Sequence, residues 1–449
     1  MRRGELTGRW DTNFLLNRTD FSQFRYEIIP IENICLDVFQ GITIKKTDDV
    51  DAPKVLKVKN ICLNGSIDFC EIESTTNVPD RKLLKVGDVI SPFIGEAIRQ
   101  HKVALYEDEA NKYTVDGNVG VYRPNKKKIK PRFLKAILSS SFVTKQVNQL
   151  IGGGGVPFLG ARNAKKLKIP LPPLDIQRRL VAELDAARAE SDRALEEAER
   201  LIVTFDDYLL NELELTMPDE NTQKAFAVRL DAVRGSRIDP SSYQPILARG
   251  APPKVPIKAL SELAIVNGNS IEKPDDIETL VPYVGLPECD QTEVREVVMR
   301  PYREVRGRNV VRLGDILFAR IEPSIFNKKY VLVDDLKGHE YAYTSTEFYV
   351  VSHRPGISVT EYIYAMLFCS FVYAQTQGKT TGSSGRRRLA PDHFRLLKIP
   401  APELSMQQSI ATEAIRRREE SRRLRTKAET IWREARERFE QQLLQGGTP

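Results

Sequence analysis

The sequence predicts an α+β protein made of two tandem mixed α/β domains, separated by two long helices that pair as an antiparallel coiled coil. Three observations lead there. The phrase L-K-I-P-L-P-P-L-D-I-Q at Leu167 to Gln177 returns as L-K-I-P-A-P-E-L-S-M-Q at Leu397 to Gln407. Short apolar, β-branched runs precede each copy. A Gly- and Pro-free segment with heptad periodicity follows each.

The duplication extends beyond that phrase. Arg9 and Asp11 answer to Arg237 and Asp239, and Pro30-Ile31 before Ile34 and Gly41 answer to Pro256-Ile257 before Leu260 and Gly268. Gly87-Asp88 matches Gly314-Asp315, Arg123-Pro124 matches Arg354-Pro355, and Phe142-Val143 matches Phe371-Val372. Separations run only from 226 (Pro30 to Pro256) to 231 (Arg123 to Arg354), so the blocks keep their order and spacing. That period is far too long for a solenoid repeat and fits tandem domains. A chain of 449 residues is likewise long for one core and comfortable for two.

The expected boundaries are residues 1–174 for the first domain, 175–215 for the first helix, 216–402 for the second domain and 403–445 for the second helix. Strand-like runs in the first half are Val55 to Val58, Val86 to Ile90, Val103 to Tyr106 and Val119 to Tyr122. Those in the second are Val310 to Leu313, Ile316 to Phe318, Tyr330 to Val333 and Phe348 to Val351. Bounded by Gly, Asp, Asn or Pro, they predict a mixed, largely antiparallel sheet in each half. Helix-like segments follow at Arg132 to Leu150 and Glu361 to Gln377, then glycine-rich loops at Gly152 to Gly155 and Gly378 to Gly385.

From Asp175 to Thr216, Leu180, Leu184, Ala187, Ser191, Ala194, Ala198, Leu201, Phe205 and Tyr208 recur at steps of four and three. From Glu403 to Gln445 the same register is kept by Ile410, Ala414, Arg417, Ser421, Leu424, Ala428, Ile431, Ala435 and Arg438. These are coiled-coil seams, and the small residues in them permit close helix approach. A helix of about 38 residues spans roughly 57 Å at 1.5 Å per residue. Because each domain carries its own helix, the two can pair within one chain. Antiparallel pairing would give the domains an approximate two-fold relation, matching pseudo-palindromic duplex DNA.

A hydrophobic content of 41% and a charged content of 29% indicate a soluble globular chain, with no apolar run near the roughly 20 residues that span a bilayer. Met1 to Glu5 leads into no apolar signal segment, so the expected location is cytoplasmic. Cys35, Cys62, Cys70, Cys289 and Cys369 form no C-x-x-C pair and are expected to be reduced. The four histidines lack metal-ligand spacing, so no metal site is expected.

Catalytic signatures are missing as well. There is no N-P-P-[YF] or D-P-P-Y amino-methyltransferase motif, and Gly152 to Gly155 lacks the spacing of a nucleotide fingerprint. Gly378-Lys379-Thr380 resembles the end of a P-loop, yet Tyr373 stands where glycine is required. The chain is therefore expected not to be an enzyme.

Binding chemistry remains. A net charge of +7 permits nucleic-acid binding. Lys126, Lys127 and Lys128 in the first half, and Arg386, Arg387 and Arg388 beside Lys379 in the second, put cations on short turns where they can meet phosphates or fork onto guanine. Arg162 and Asn163 after Gly160 are taken as counterparts of the arginine cluster, and Arg99, Gln100 and His101 as counterparts of Arg320, Asn327 and Lys328.

A Gly/Ser-rich loop, then L-K-I-P-x-P-x-L-x-x-Q leading into a long helix, all occurring twice with a G-D-[VI]-[IL] strand in each half, resembles the specificity (S) subunit of type I restriction-modification systems. The resemblance runs from Arg9 to about Leu444. The second copy departs from the usual pattern at Ser405-Met406-Gln407, and Arg417 and Arg438 intrude on its seam. The resemblance implies that each domain is a target recognition domain binding one part of a split double-stranded DNA sequence. It implies that the paired helices set the spacer and dock two methyltransferase (M) subunits. Those partners would use S-adenosylmethionine, and ATP with Mg where restriction (R) subunits join, with no cofactor on this chain. The rival expectation is a duplicated coiled-coil scaffold that binds other proteins.

Overall fold

The computed structural model describes residues 19–100, 102–109, 112–151, 156–215, 255–383 and 386–444. Arg9, Asp11, His101, Gly152 to Gly155, Arg237, Asp239 and Ser384-Gly385 therefore lie outside the described residues. The chain forms two compact units, Met1–Ala194 with Thr426–Pro449, and Leu195–Arg425. Each unit thus contains one α/β domain and a length of both long helices.

The first unit holds β1 (Ile28–Pro30), β2 (Cys35–Gln40), β3 (Lys54–Leu56), β4 (Glu73–Ser74), β5 (Val89–Pro92), β6 (Ala104–Leu105), β7 (Tyr113–Val115), β8 (Val119–Pro124) and β9 (Lys168–Pro170). Its helices are α1 (Pro131–Leu138), α2 (Ser141–Leu150), α3 (Gly160–Lys166) and the first part of α4 (Leu174–Glu212). The main sheet has the order β2-β8-β5-β6 and is antiparallel throughout. A second sheet, β4-β3-β7, pairs β3 with β7 in parallel. Side chains along a strand alternate between faces, and here both faces of the main sheet are covered. Val89 and Tyr122 enter the core under the helices, while Ile90 and Val121 enter a core shared with the second sheet. Burial on both sides explains why Val119 to Tyr122 is a continuous apolar run.

The second unit repeats this plan with β10 (Ile257–Ala259), α5 (Leu260–Leu263), β11 (Ala264–Val266), β12 (Leu280–Val284), β13 (Val298–Pro301), α6 (Tyr302–Val305), β14 (Asn309–Arg312), β15 (Ile316–Ala319), β16 (Tyr330–Leu332), β17 (Tyr341–Thr344) and β18 (Phe348–His353). There follow α7 (Thr360–Phe368), α8 (Ser370–Tyr373), β19 (Thr380–Thr381), β20 (Arg388–Leu389), α9 (Pro391–Arg395), β21 (Lys398–Pro400) and α10 (Leu404–Gln441), whose last part belongs to the first unit. The sheets β11-β18-β15-β16 and β13-β12-β17-β14 correspond to those of the first unit. Ile316 and Phe318 again face the helices, and Leu317 and Ala319 the second sheet.

The repeated phrase has the same structural task in each half. Its L-K-I-P segment is β9, antiparallel to β1, and again β21, antiparallel to β10. Its glutamine ties the helix start to the turn before α1 or α7. Gln177 Oε1 accepts from the Lys130 N–H at 2.8 Å, and its Nε2 donates to the Lys128 and Pro172 carbonyls. Gln407 does the same with Val359, Ile357 and Pro402. A second pair, Gln146 and Gln375, exchanges two bonds with the Lys168 and Lys398 backbones and carried no signal in the sequence phrase. Gln407→Ala strands buried backbone groups, at about 1–3 kcal/mol for each one left unsatisfied. Urea unfolding of the variant should register that loss, and a cost within 0.5 kcal/mol on the order of a surface change would contradict it.

Three expectations need correction. The segments predicted as single helices are broken. Ser139 and Ser140 donate to the Lys135 and Ile137 carbonyls and separate α1 from α2, since serine hydroxyls compete for backbone acceptors. Cys369, extended at ψ 135, separates α7 from α8. The equivalence of Pro30 with Pro256 also fails: Pro30 opposes Lys168 and Ala259 opposes Lys398, so Pro30 corresponds to Ala259. Likewise Arg123 corresponds to Ser352 and not to Arg354, because Tyr122 opposes Val89 and Val351 opposes the equivalent Ile316.

Within each unit the long helices run antiparallel. In the first, Arg179 and Ser191 of α4 bond Gln442 and Ala428 of α10; in the second, Ala198 and Leu201 accept from Ser421 and Arg417. Leu180, Leu184, Ser191, Ala194, Ala198, Ile410, Ser421, Ala428 and Ala435 are buried, and Ala187, Leu201, Ala414, Leu424 and Ile431 are half-buried. Ser191 and Ser421 each donate at 3.0 Å to the facing carbonyl, polar register marks inside a largely apolar seam. Arg417 fits because its guanidinium lies over Phe205 and Tyr208, 5.4 and 5.3 Å from the ring centres, and pairs with Glu413. Arg438 does not fit. It is exposed, and Phe439 takes the buried place because α1 presents Phe133 there, 5.8 Å between ring centres.

Candidate nucleic-acid interface

In each unit three loops meet at one end of the main sheet. In the second unit these are the connection after β15, the turn before β18 and the β19-β20 hairpin. The Arg320 N–H donates to the Glu347 carbonyl at 2.9 Å, Leu389 N–H to the Arg320 carbonyl at 2.9 Å, and Glu322 N–H to the Arg387 carbonyl at 3.0 Å. In the first unit Phe93 N–H donates to Asn118 at 2.8 Å, Leu159 to Phe93 at 2.9 Å, and Gly95 to Pro157 at 2.8 Å. Bridges Ile94 to Phe158 and Ile321 to Arg388 complete the match. Phe93 therefore stands where Arg320 does, Asn118 where Glu347 does, and Val156-Pro157-Phe158 where Arg386-Arg387-Arg388 do.

The second junction is rich in charge. Arg388 grips Glu347 with two nitrogens, Nη2 at 2.6 Å and Nε at 2.9 Å, which raises the arginine's affinity for its proton further. Arg387 Nη2 donates to the Thr380 carbonyl at 2.9 Å and its Nε lies 3.7 Å from Glu322, which also accepts from the Thr380 hydroxyl. Arg386 is exposed. The Arg320 guanidinium lies 5.0 Å from the Tyr349 ring centre, and its Nε is buried without a hydrogen-bond partner. Lys379 sits half-buried in the turn before β19. Lys328 is more remote, donating to the Phe368 carbonyl and lying over Tyr373, with Asn327 exposed beside it.

The first junction is apolar, with Val156 68% and Phe158 47% exposed. Gly160, at φ +67, permits the Phe158 ring to lie across the start of α3, since a Cβ there would stand 2.9 Å from that ring. The residues expected to form this surface lie elsewhere. Arg162 and Asn163 sit on α3 and correspond to Asp392 and His393. Arg99 corresponds to Phe326, and its guanidinium pairs with Glu96 at 2.6 Å. Lys126, Lys127 and Lys128 lie in the turn after β8, at the far end of that six-residue strand, about 20 Å away. There Lys126 and Lys128 donate to the Val86 and Asn33 carbonyls, while Lys127 is exposed. The lysine and arginine clusters are thus at opposite ends of equivalent sheets. Phe93, Phe158 and Glu347 were missed, although a 230-residue separation taken from the repeated phrase pairs Phe158 with Arg388.

Among the described residues no cluster of His, Cys, Asp or Glu could hold a metal ion, and no helix is long and apolar enough to cross a membrane. The thiols of half-buried Cys35 and of buried Cys289 and Cys369 are pushed up to about 12, chiefly by desolvation, away from any nucleophilic role near neutral pH.

Residues 49–200 match the model of the type I restriction modification DNA specificity domain. Over that stretch the chain is similar to the specificity subunits of type I restriction-modification systems. It is 26% identical over 166 residues to the type I restriction enzyme MjaVIII specificity subunit of Methanocaldococcus jannaschii, and 26% identical over 161 residues to the MjaX counterpart of that organism. These stretches cover 32% and 34% of this chain and only 38% and 37% of the relatives' own length. A chain from a solved structure on complex assembly and conformational transition of the type I R-M system shares the fold, with a TM-score of 0.53 at 15% identity over 96% of this chain and 100% of that one.

Proposed function

We propose that this chain is the DNA sequence-specificity subunit of a type I restriction-modification complex and is itself non-catalytic. Each unit binds one part of a split duplex target through its three-loop junction. The paired helices set the spacer and dock two methyltransferase subunits, which bring S-adenosylmethionine; restriction subunits, where present, bring ATP with Mg. The observation that carries this reading is one loop junction built twice on matching scaffolds with different side chains. Two related readers of different sequences require that arrangement.

The test is replacement of residues 216–402 by the equivalent domain of a relative, followed by sequencing of methylated bases in cells carrying the complex. One half of the recognised sequence should change while the other half and the spacer stay. A simultaneous change of both halves, or methyl transfer by the purified chain alone, would overturn the proposal. A protein-binding scaffold would instead show no steep loss of DNA affinity with added salt, whereas neutralising several phosphates produces one.

A further inference from the structure

We propose that the two units read their parts of the target by different base chemistry: thymine methyl groups at Val156, Pro157 and Phe158 in the first unit, and guanine at Arg386 and Arg387 in the second. This rests on the reading that both junctions face DNA. It adds which bases each prefers and which side chains decide.

The duplication supplies an internal control. Three backbone hydrogen bonds and one bridge recur at equivalent residues of the two junctions, so the same backbone frame underlies both. What differs is the chemistry presented. The hairpin of the second unit offers three consecutive arginines, and each has a distinct place. Arg388 is committed to Glu347 through both faces of its fork, so it acts as a positioning residue that braces the hairpin against the turn before β18. Arg387 is held by the Thr380 carbonyl, with its side chain still 43% exposed. Arg386 is exposed on this braced hairpin. A guanidinium matches the O6 and N7 acceptors that guanine presents in the major groove, the commonest specific protein–DNA contact.

The first unit replaces this trio with Val156, Pro157 and Phe158, and replaces Glu347 with Asn118. No carboxylate is needed where no arginine must be braced. An exposed Phe and Val find no hydrogen-bonding role with base edges. The apolar group that the major groove displays is the C5 methyl of thymine, for which apolar side chains such as Phe are the fitting contact. The Phe158 ring is also seated rather than loose, since Gly160 at φ +67 leaves the space it occupies.

The test uses the complex with its methyltransferase subunits, and a duplex carrying the recognised sequence. The half belonging to each unit is assigned by the domain replacement described above. In one series each thymine becomes deoxyuridine, which removes only the methyl group; in another each guanine becomes 7-deazaguanine, which removes only N7. Deoxyuridine in the first unit's half should weaken binding about fourfold per contacted thymine, the value of one buried methyl group. 7-Deazaguanine in the second unit's half should weaken binding by about tenfold or more. The converse placements should stay within about twofold of the unmodified duplex on the scale of a contact not made. Phe158→Ala should abolish the deoxyuridine effect, and Arg386→Ala the 7-deazaguanine effect. The modified duplexes test the unaltered protein, so the result stands even where a variant fails to fold. Sequence-specific binding that ignores both substitutions, or responds to them in the opposite halves, overturns this inference while leaving the proposed function intact. Absence of any sequence-specific binding overturns the proposed function itself.

Discussion

Arg123→Ala should destabilise the first unit by about 3–5 kcal/mol, the cost of leaving a buried charge without its partner. The Asp88 side chain is 2% exposed and that of Arg123 12%. Two bonds join them, Nε to Oδ1 at 3.0 Å and Nη2 to Oδ2 at 2.7 Å. Arg123 also donates to the Leu83 carbonyl at 2.7 Å, so truncation strands a second acceptor. Asp88 in turn accepts from the Lys85 N–H, closing the turn that carries Gly87 at φ +98. The second unit provides a contrast. Asp315 fills the same place but is satisfied by Ser352 Oγ at 2.5 Å, Asn269 Nδ2 at 2.6 Å and the Arg312 N–H at 2.7 Å. Ser352→Ala removes one hydrogen bond to a charged acceptor and should cost about 1.5–3 kcal/mol. Chemical denaturation of both variants gives the comparison. Equal losses, or an Arg123→Ala cost below about 1 kcal/mol on the scale of an exposed ion pair, would show that the arginine is not compensating a buried carboxylate.

The second large effect is on the recognised sequence. Inserting one heptad after Ser191 and another after Ser421 should lengthen the helical spacer by about 10 Å while keeping the seam in register. The insertion points lie between Ser191 and Ala198 on one helix and between Ser421 and Ala428 on the other, so both serine-to-carbonyl bonds can persist. At about 3.4 Å per base pair the recognised spacer should grow by roughly three base pairs. Three base pairs also turn the duplex by about 100°, given a helical turn of 10–10.5 base pairs, and the complex must absorb that twist. Sequencing methylated bases from cells carrying the variant supplies the measurement. An active variant that kept the original spacer would show that these helices do not set the distance.

Much of the architecture was legible because its causes are local. The runs Val119 to Tyr122 and Phe348 to Val351 declare strands covered on both faces, and both strands form as read. The L-K-I-P phrase announces β9 and β21, and the glutamine ten residues after its first leucine has one hydrogen-bonding task in both copies. Heptad spacing marked the seam until other surroundings intervened. Near the end of α10 the neighbour is α1 as well as α4, and the aromatic contact with Phe133 selects Phe439 over Arg438.

The candidate site was far less legible. Small differences in loop length shift the separation between equivalent residues from 227 at Phe93 and Arg320 to 230 at Phe158 and Arg388, so matching by polar character paired Arg99 with the wrong partner. Composition also hid which cations are free. Arg388 is neutralised by Glu347, 41 positions earlier, and Arg123 by Asp88, 35 positions earlier.

The sequence by itself determined the duplication, the α+β class and most of the seam residues, and carried the resemblance to type I specificity subunits, because each depends on side-chain periodicity or on a phrase whose contacts are made within the same half. Only the tertiary structure decided which loops meet, which arginines are braced, and that an apolar segment in one unit stands where a cationic one stands in the other. Those outcomes depend on strand register and on ion-pair partners far away in the chain. No local pattern encodes either.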